Sequence, residues 1–303
     1  MISEAVMKAF EGFVPAENVY LQEPMDKHTT FRVGGPADCL IVLENEQQLQ
    51  KLQKYLRQVE IPFYVLGNRS NVLVSDRGYR GVILQIGDQM NHITVEGNRV
   101  IAQAGARMSQ VARVAMEHGL TGLEFASGIP GTVGGGVVMN AGAYVSEMKQ
   151  VVESVSVVNQ DGELLELSNS TMEFGYRYSI IRNQPYVVTG VTFVLQEGDK
   201  EQIKATMDDL AARRREKQPL EYPSAGSTFK RPEGYFAGEL IMKAGLRGFC
   251  VGGAKVSEKH CGFVINAGNA SAADVMDLIR EVQDRVKDKF GMELEPEVVF
   301  SGF

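Results

Sequence analysis

Apolar residues recur along this chain with two periods, and the switches between them mark its elements. Residues 1–27 pattern as a short amphipathic helix followed by an extended arm. Cys39 to Leu43 is a continuous apolar run and predicts a strand. Asn45 with Gln48 reads as a capping box, opening a helix whose Leu49, Leu52, Leu56 and Val59 share one face until Pro62 ends it. Phe63 to Leu66 is apolar again, so this region reads strand–helix–strand, the parallel unit. Val72 to Val74 and Val82 to Ile86 predict further strands. His92 to Val95 and Arg99 to Gln103 flank Glu96-Gly97-Asn98 and predict a hairpin. A helix bearing Met108, Val111 and Ala115 follows and stops at Gly119.

Beyond residue 150 the alternation is antiparallel in character. Val151 to Val158 and Leu164 to Leu167 flank Gln160-Asp161-Gly162-Glu163, a strong hairpin signal, and Tyr186 to Leu195 is another strand. Composition shifts at Gly198-Asp199. A polar helix then carries Ile203, Met207 and Leu210 on its inner face, ends in Arg213-Arg-Arg-Glu-Lys217, and is broken by Pro219 and Pro223. We read that basic run as a solvated helix face in preference to a ligand site. An apolar helix is expected around Leu240 to Ala244 and a short strand at Phe263 to Asn266. Ser271-Ala-Ala-Asp274 caps the clearest helix, with Val275, Leu278, Ile279, Val282, Val286 and Phe290 along one side and Gly291 at its end. Glu297 to Phe300 predicts the last strand.

The chain has 303 residues, room for two domains at roughly 100–200 residues each. We place the boundary at the composition break, giving 1–198 (with subdomains of about 1–86 and 87–198) and 199–303. The net charge of -7 argues against a nucleic-acid surface, which needs basic excess. Cys39, Cys250 and Cys261 cannot all pair and form no Cys-x-x-Cys, so free thiols are expected in place of a disulfide framework. The four histidines show no metal-ligand spacing, so no metal is expected. No apolar run approaches a membrane span and no secretory leader opens the chain, so a cytoplasmic location is expected.

Two glycine-rich stretches carry the candidate chemistry. Phe125 to Gly142 contains Gly128, Gly131 and Gly134 at every third position, then Gly135 and Gly136, with no charged residue in the run. Backbone free of side chains can approach a ligand closely, and Pro130 would suit the first position of a short helix whose free N–H groups attract phosphate. Gly67-Asn68-Arg69-Ser70-Asn71 directly follows a strand, where such folds bind phosphates. Neither stretch is a Gly-x-Gly-x-x-Gly fingerprint, and the chain holds no P-loop.

Eight motifs in order resemble the UDP-N-acetylenolpyruvoylglucosamine reductase (MurB) family over nearly the whole chain. They are Thr30-Phe-Arg-Val-Gly-Gly-Pro-Ala-Asp38, Gly67-Asn-Arg-Ser-Asn-Val-Leu-Val74, Gly128-Ile-Pro-Gly-Thr-Val-Gly-Gly135, Asn140-Ala-Gly-Ala143, Tyr176-Arg177, Ala225-Gly-Ser-Thr-Phe-Lys230, Lys259-His260 and Glu295-Pro-Glu-Val298. The resemblance implies an α+β protein: an FAD-binding domain of the vanillyl-alcohol oxidase (PCMH) type in two subdomains, then a smaller α+β substrate-binding domain. It implies non-covalent FAD, NADPH as hydride donor, and reduction of the enolpyruvyl sugar nucleotide in peptidoglycan precursor synthesis by a monomer.

The residue roles it implies fall into three groups. Arg177, Ser227 and Glu297 are catalytic. Gly67, Asn68, Arg69, Ser70 and Asn71, with Ser127, Gly128, Ile129, Pro130, Gly131, Gly134, Gly135, Asn140, Ala141 and Gly142, bind FAD. Tyr176, Lys230, Lys259 and Asn266 bind substrate. The residue types suit the reaction. Hydride attack on the enolpyruvyl double bond leaves negative charge that Arg177 and a neutral Glu297 can share, and Ser227 then donates a proton. The chain departs from relatives at Asn68 and Arg69, where more glycine is common, at Val145, where glycine is common, and at Val299, where a base is common. It has no inserted tyrosine loop and so resembles the short, type II form. Two other readings remain open: an FAD-dependent oxidase or dehydrogenase of the same superfamily, and a non-enzymatic nucleotide-binding or regulatory protein.

Overall fold

Residue packing in the computed structural model resolves the chain into two compact units, each with its own apolar core. Residues 2–144 and 146–303 are described. Met1 and Val145, the latter one of the family departures noted above, lie outside them. The first unit comprises Met1–Leu21, Cys39–Asn68 and Gly81–Arg214; the second comprises Gln22–Asp38, Arg69–Arg80 and Arg215–Phe303. Packing thus assigns two short N-terminal segments to the same unit as the C-terminal third.

In the first unit the helix Glu46–Gln58 buries Leu49, Leu52 and Leu56, as its periodicity requires. Its cap is half of the expected box. Asn45 accepts from the Gln48 amide at 3.0 Å, but the Gln48 side chain accepts from Glu44, one residue earlier than reciprocal capping needs. The strand Phe63–Leu66 pairs in parallel with Tyr79–Ile86, which lies between it and Pro36–Leu43, so the two strands joined by the helix are not neighbours. The predicted hairpins form. Ile93–Glu96 and Arg99–Gln103, then Val187–Val194, Val152–Val158 and Leu164–Ser168, make one five-stranded antiparallel sheet. The helix Lys200–Lys217 is polar almost throughout and buries only Ile203 fully. Leu210 and Met207, expected inside, are half-buried.

In the second unit the helix Ala272–Phe290 buries six apolar residues against the small sheet Cys250–Val251, Ala254–Val256 and Val264–Asn266. Its predicted box is complete, and Gly291 ends it at φ +66°, a conformation glycine adopts without steric cost. Asp76 adds a second cap from a distant segment, its carboxylate accepting from the amides of Ala272 at 2.7 Å and Ala273 at 2.9 Å. The closing strand is Val299–Ser301, and it pairs in parallel with Val72–Val74, the strand that follows the first glycine loop. No helix among the described residues is long and apolar enough to cross a membrane. No group of three or more His, Cys, Asp or Glu among them could hold a metal.

Candidate flavin and substrate sites

The first glycine loop needs its glycine for space. A Cβ at Gly67 would stand 2.2 Å from Thr132 Oγ1, so only bare backbone passes there. Asn68 donates its amide to the Pro130 carbonyl at 2.5 Å, which ties the first loop to the second within the first unit. Arg69 takes a left-handed φ of +53° and donates Nε to the His28 carbonyl at 2.7 Å. Asn71 reaches the Glu297 carbonyl through Nδ2 at 3.0 Å. Ser70 lies at the start of the turn between Arg69 and Asn71.

In the second loop the helix starts later than the sequence pattern predicts. Pro130 does not open a helix: the helix is Val133–Val138, six residues long. Its leading amides are already used. Val133 donates to the Ala106 carbonyl at 2.8 Å and Gly134 to that of Ala104 at 2.9 Å. The cause is long-range, because Met108 donates to the Gly131 carbonyl and Arg107 bridges Thr132, so the chain arrives as an extended edge before it coils. Gly134 is needed for that approach, since a Cβ there would lie 2.9 Å from that of Ala104. Ser127 spends its hydroxyl on the Glu124 carbonyl at 2.7 Å. Ile129 is half-buried and Pro130 exposed.

A positive charge reaches this uncharged loop from elsewhere. Arg214, from the helix Lys200–Lys217, packs on Gly128 so closely that a Cβ there would be 3.2 Å from Cδ and 3.3 Å from Nη1. Partial burial pulls the Arg214 pKa below the usual guanidinium range, with the Tyr144 hydroxyl opposing the shift. Arg214 has no ion-pair or hydrogen-bond partner among the described residues, whereas its neighbour Arg213 is paired with Asp209 at 2.8 Å. The run of three arginines was the available signal. Which one turns inward is set by helix phase against the loop, so the solvated-face reading fails for this residue. An open cleft of about 340 Å³ that Ser127 also lines offers no such charge. Its Arg113 is paired with Glu117 at 3.9 Å and its Lys204 with Asp208 at 2.6 Å.

Arg177 also belongs to the first unit. Gly175 and Tyr178 exchange backbone hydrogen bonds at 3.0 and 3.1 Å, closing a two-residue turn with Tyr176 and Arg177 at its tip. Arg177 adopts φ +54°, uncommon for a residue with a side chain. Its guanidinium lies 5.0 Å from the ring centroid of Tyr176, itself half-exposed, and donates to the Gly142 carbonyl at 3.3 Å. Asn140 is fully buried, with both ends of its amide bonded inside the protein. Ala141 donates its own amide to Gly136 and accepts from Met148.

The segments that carry Ser227 and Glu297 run side by side in the second unit. The segment Thr228 to Lys230 runs antiparallel to Glu295 to Glu297: Glu297 donates to the Thr228 carbonyl at 2.8 Å, Lys230 to that of Glu295 at 2.8 Å, and Phe229 bridges Pro296. Gly226 precedes Ser227 at φ +75°, with nothing near the place of a Cβ, so glycine serves the turn's conformation and not its clearance. Ser227 is exposed between buried Ala225 and Thr228, which turn inward. Lys230 is ion-paired with Glu295. Lys259 donates Nζ to the Arg215 carbonyl at 2.8 Å and lies 3.8 Å from Glu221. Asn266 is occupied with backbone, accepting from Gly268 and Ala270 and donating to Phe31 at 3.3 Å.

A family model described as an FAD binding domain matches residues 37–168, and one described as the C-terminal domain of UDP-N-acetylenolpyruvoylglucosamine reductase matches residues 218–301. The UDP-N-acetylenolpyruvoylglucosamine reductase of Caldanaerobacter subterraneus subsp. tengcongensis is 52% identical over 301 residues, covering 99% of both chains. The crystal structure of UDP-N-acetylenolpyruvylglucosamine reductase from Thermus caldophilus superposes with a TM-score of 0.80 at 36% identity, covering 93% of this chain and 98% of that one. A Phl p 4 variant described as a glucose oxidase shares the fold alone, with a TM-score of 0.50 at 13% identity over 65% of this chain and 45% of that one.

Proposed function

This chain belongs to the UDP-N-acetylenolpyruvoylglucosamine reductase family, and on that premise we propose that it reduces the enolpyruvyl group of UDP-N-acetylenolpyruvoylglucosamine to the lactyl group of UDP-N-acetylmuramate. NADPH and a proton are consumed and NADP⁺ is released. The product feeds peptidoglycan synthesis, and through it cell shape and division. The reading is carried by the ladder that joins Thr228–Lys230, directly after Ser227, to Glu295–Glu297, because these are the family's substrate-side motifs brought side by side.

The residues present fit FAD. Gly67 has no room for a Cβ, Gly128 has little, and Arg214 is a half-buried cation without an anionic partner among the described residues. We assign the flavin diphosphate to the backbone of Gly67–Asn71 and Gly128–Gly135 with Arg214 as counter-charge. Bound FAD would carry the hydride from NADPH to the substrate. Residues 1–198 are assigned to the flavin and 199–303 to the substrate, with Arg214 the exception that serves the flavin loop.

Arg177 binds the substrate carboxylate and stabilises the negative charge that builds there, a fixed guanidinium needing no reorganisation at the moment of reaction. Glu297 shares that charge as a hydrogen-bond donor. Ser227 Oγ delivers the proton to carbon; a serine is a weak acid, so only a strongly basic carbanion or enolate can take it. Lys230, Lys259 and Tyr176 contact the sugar nucleotide, and Asn266 shapes the loop beside them. NADPH and substrate, both diphosphate nucleotides, use the same groups in turn. Charged nucleotides do not cross a membrane unaided, which supports a cytoplasmic location, and the enzyme is proposed to act there as a monomer.

The test is NADPH consumption by the purified, yellow protein with and without the enolpyruvyl sugar nucleotide. Turnover is expected only with both, initial-rate lines at several NADPH levels should be parallel, and acid precipitation should release all the flavin. Rapid NADPH oxidation that ignores the sugar nucleotide, or a protein that FAD does not stabilise, overturns the reading.

A further inference from the structure

We propose that Asn140 is a positioning residue for Arg177, fastening the turn that carries the arginine to the segment leaving the glycine-rich helix. The inference rests on the role assigned to Arg177 above. Asn140 is 0% exposed and sits two residues beyond the helix Val133–Val138. Its Nδ2 donates to the Gly175 carbonyl at 2.9 Å, and its Oδ1 accepts from the Lys149 amide at 2.9 Å. A buried amide spent in this way has little left to offer a cofactor. Gly175 flanks the two-residue turn, so the bond acts directly on the base of the loop that presents Arg177.

Two more bonds join the same segments. Ser179 Oγ donates to the Val138 carbonyl at 2.9 Å, and Arg177 Nη2 donates to that of Gly142 at 3.3 Å. Residues 138, 140 and 142 therefore meet residues 179, 175 and 177 in three side-chain hydrogen bonds. The turn needs such support, because Arg177 at φ +54° is in a conformation that neighbours must hold in place. Asn140 is itself at φ +41°, where asparagine is tolerated better than most residues with a side chain. The glycine-rich loop and the arginine are thus set as one piece, and the loop's geometry fixes where the guanidinium stands.

The experiment uses the FAD-loaded enzyme with Asn140→Gly, which keeps the left-handed backbone, and Ser179→Ala, which nearly keeps the buried volume. Stopped-flow absorbance separates flavin reduction by NADPH from reoxidation by UDP-N-acetylenolpyruvoylglucosamine. Flavin affinity and reduction should stay within about twofold of wild type. Reoxidation should slow by about 10- to 100-fold in Asn140→Gly, the usual effect of a misplacement near 1 Å, and less in Ser179→Ala. Hydrogen exchange of the FAD-loaded protein should be faster at the Tyr178 amide in both variants. Added to Arg177→Ala, Asn140→Gly should slow reoxidation no further.

Equal slowing of both half-reactions, loss of flavin, or a full additional loss on top of Arg177→Ala would each overturn the proposal. If Arg177→Ala alone reoxidises normally, it is the role of Arg177 that fails, a result the single arginine variant reveals by itself. Should Asn140→Gly not fold, Ser179→Ala carries the decision: a wild-type reoxidation rate with unchanged exchange at Tyr178 sinks the idea.

Discussion

Arg177, in the first unit, stands on a two-residue turn held to its surroundings by the side chains of Asn140 and Ser179. Ser227, in the second, precedes a ladder in which Thr228 to Lys230 and Glu295 to Glu297 are joined through backbone amides and carbonyls. The difference matters because a backbone bond survives almost any substitution, whereas a side-chain bond is lost with one. The turn should therefore be disturbed by changes at its supports. The ladder should respond to loss of a reacting group itself, and otherwise register only in stability.

The comparison is tested most severely at Ser227. Ser227→Ala leaves the ladder's backbone intact and removes only the hydroxyl, so FAD content and reduction by NADPH should be unchanged. Reoxidation by the enolpyruvyl substrate should fall by roughly 10²–10⁴-fold, the usual worth of a positioned proton donor. Stopped-flow of each half-reaction decides; equal slowing would make Ser227 part of the scaffold, and no slowing would give its proton to another group.

Arg214→Gln carries the first unit's dependence on side chains to the glycine loop. Its effect should fall on cofactor retention, weakening FAD about 10- to 100-fold in equilibrium fluorescence titration, as for loss of one hydrogen bond to a charged group. Unaltered affinity would remove Arg214 from the diphosphate site.

Thr228→Val sharpens the contrast from the ladder's side. The Thr228 hydroxyl is buried and accepts from the Val264 amide at 2.9 Å, so valine strands that amide. Unfolding should become easier by about 1–3 kcal/mol in denaturant titration, while both half-reaction rates per bound flavin stay near normal. A selective loss in reoxidation would show that the ladder, too, is set by its side chains.

The smallest expected effect is a pH dependence in the second unit. Amides of Ser271 and Gly253 hold the Asp274 carboxyl below its ordinary range. A carboxyl lowered on folding contributes stability above its unfolded pKa, about 3.9, and loses it as pH falls through the folded value. Thermal melting below pH 4 should show that decline, and Asp274→Asn should flatten it; an identical slope in the variant assigns the decline to other groups.

Much of this was legible in the sequence. The hairpins at 93–103 and 152–168, the strand Phe63–Leu66 and the helix Ala272–Phe290 all follow from periods and turn residues lying within a few positions of one another. The glycine loops and the order of the motifs were equally visible. The misreadings have one form. Pro130 looked like a helix start, but the helix begins at Val133 because Gly131 and Thr132 are held extended against Met108 and Arg107. Asn140 looked like a flavin contact, yet its amide is bonded to Gly175 and Lys149. Arg214 looked like one of three solvated cations, yet it packs on Gly128.

By itself, then, the sequence determined where most helices and strands form and which residue types stand ready for chemistry, because helix, strand and cap preferences are sums over adjacent residues. Only the tertiary structure decided which amides are already spent, which arginine is desolvated, and that Val72–Val74 pairs with Val299–Ser301 across more than 220 positions. Those outcomes depend on contacts between segments far apart in the chain, and local propensity contains no information about which distant carbonyl or glycine will arrive.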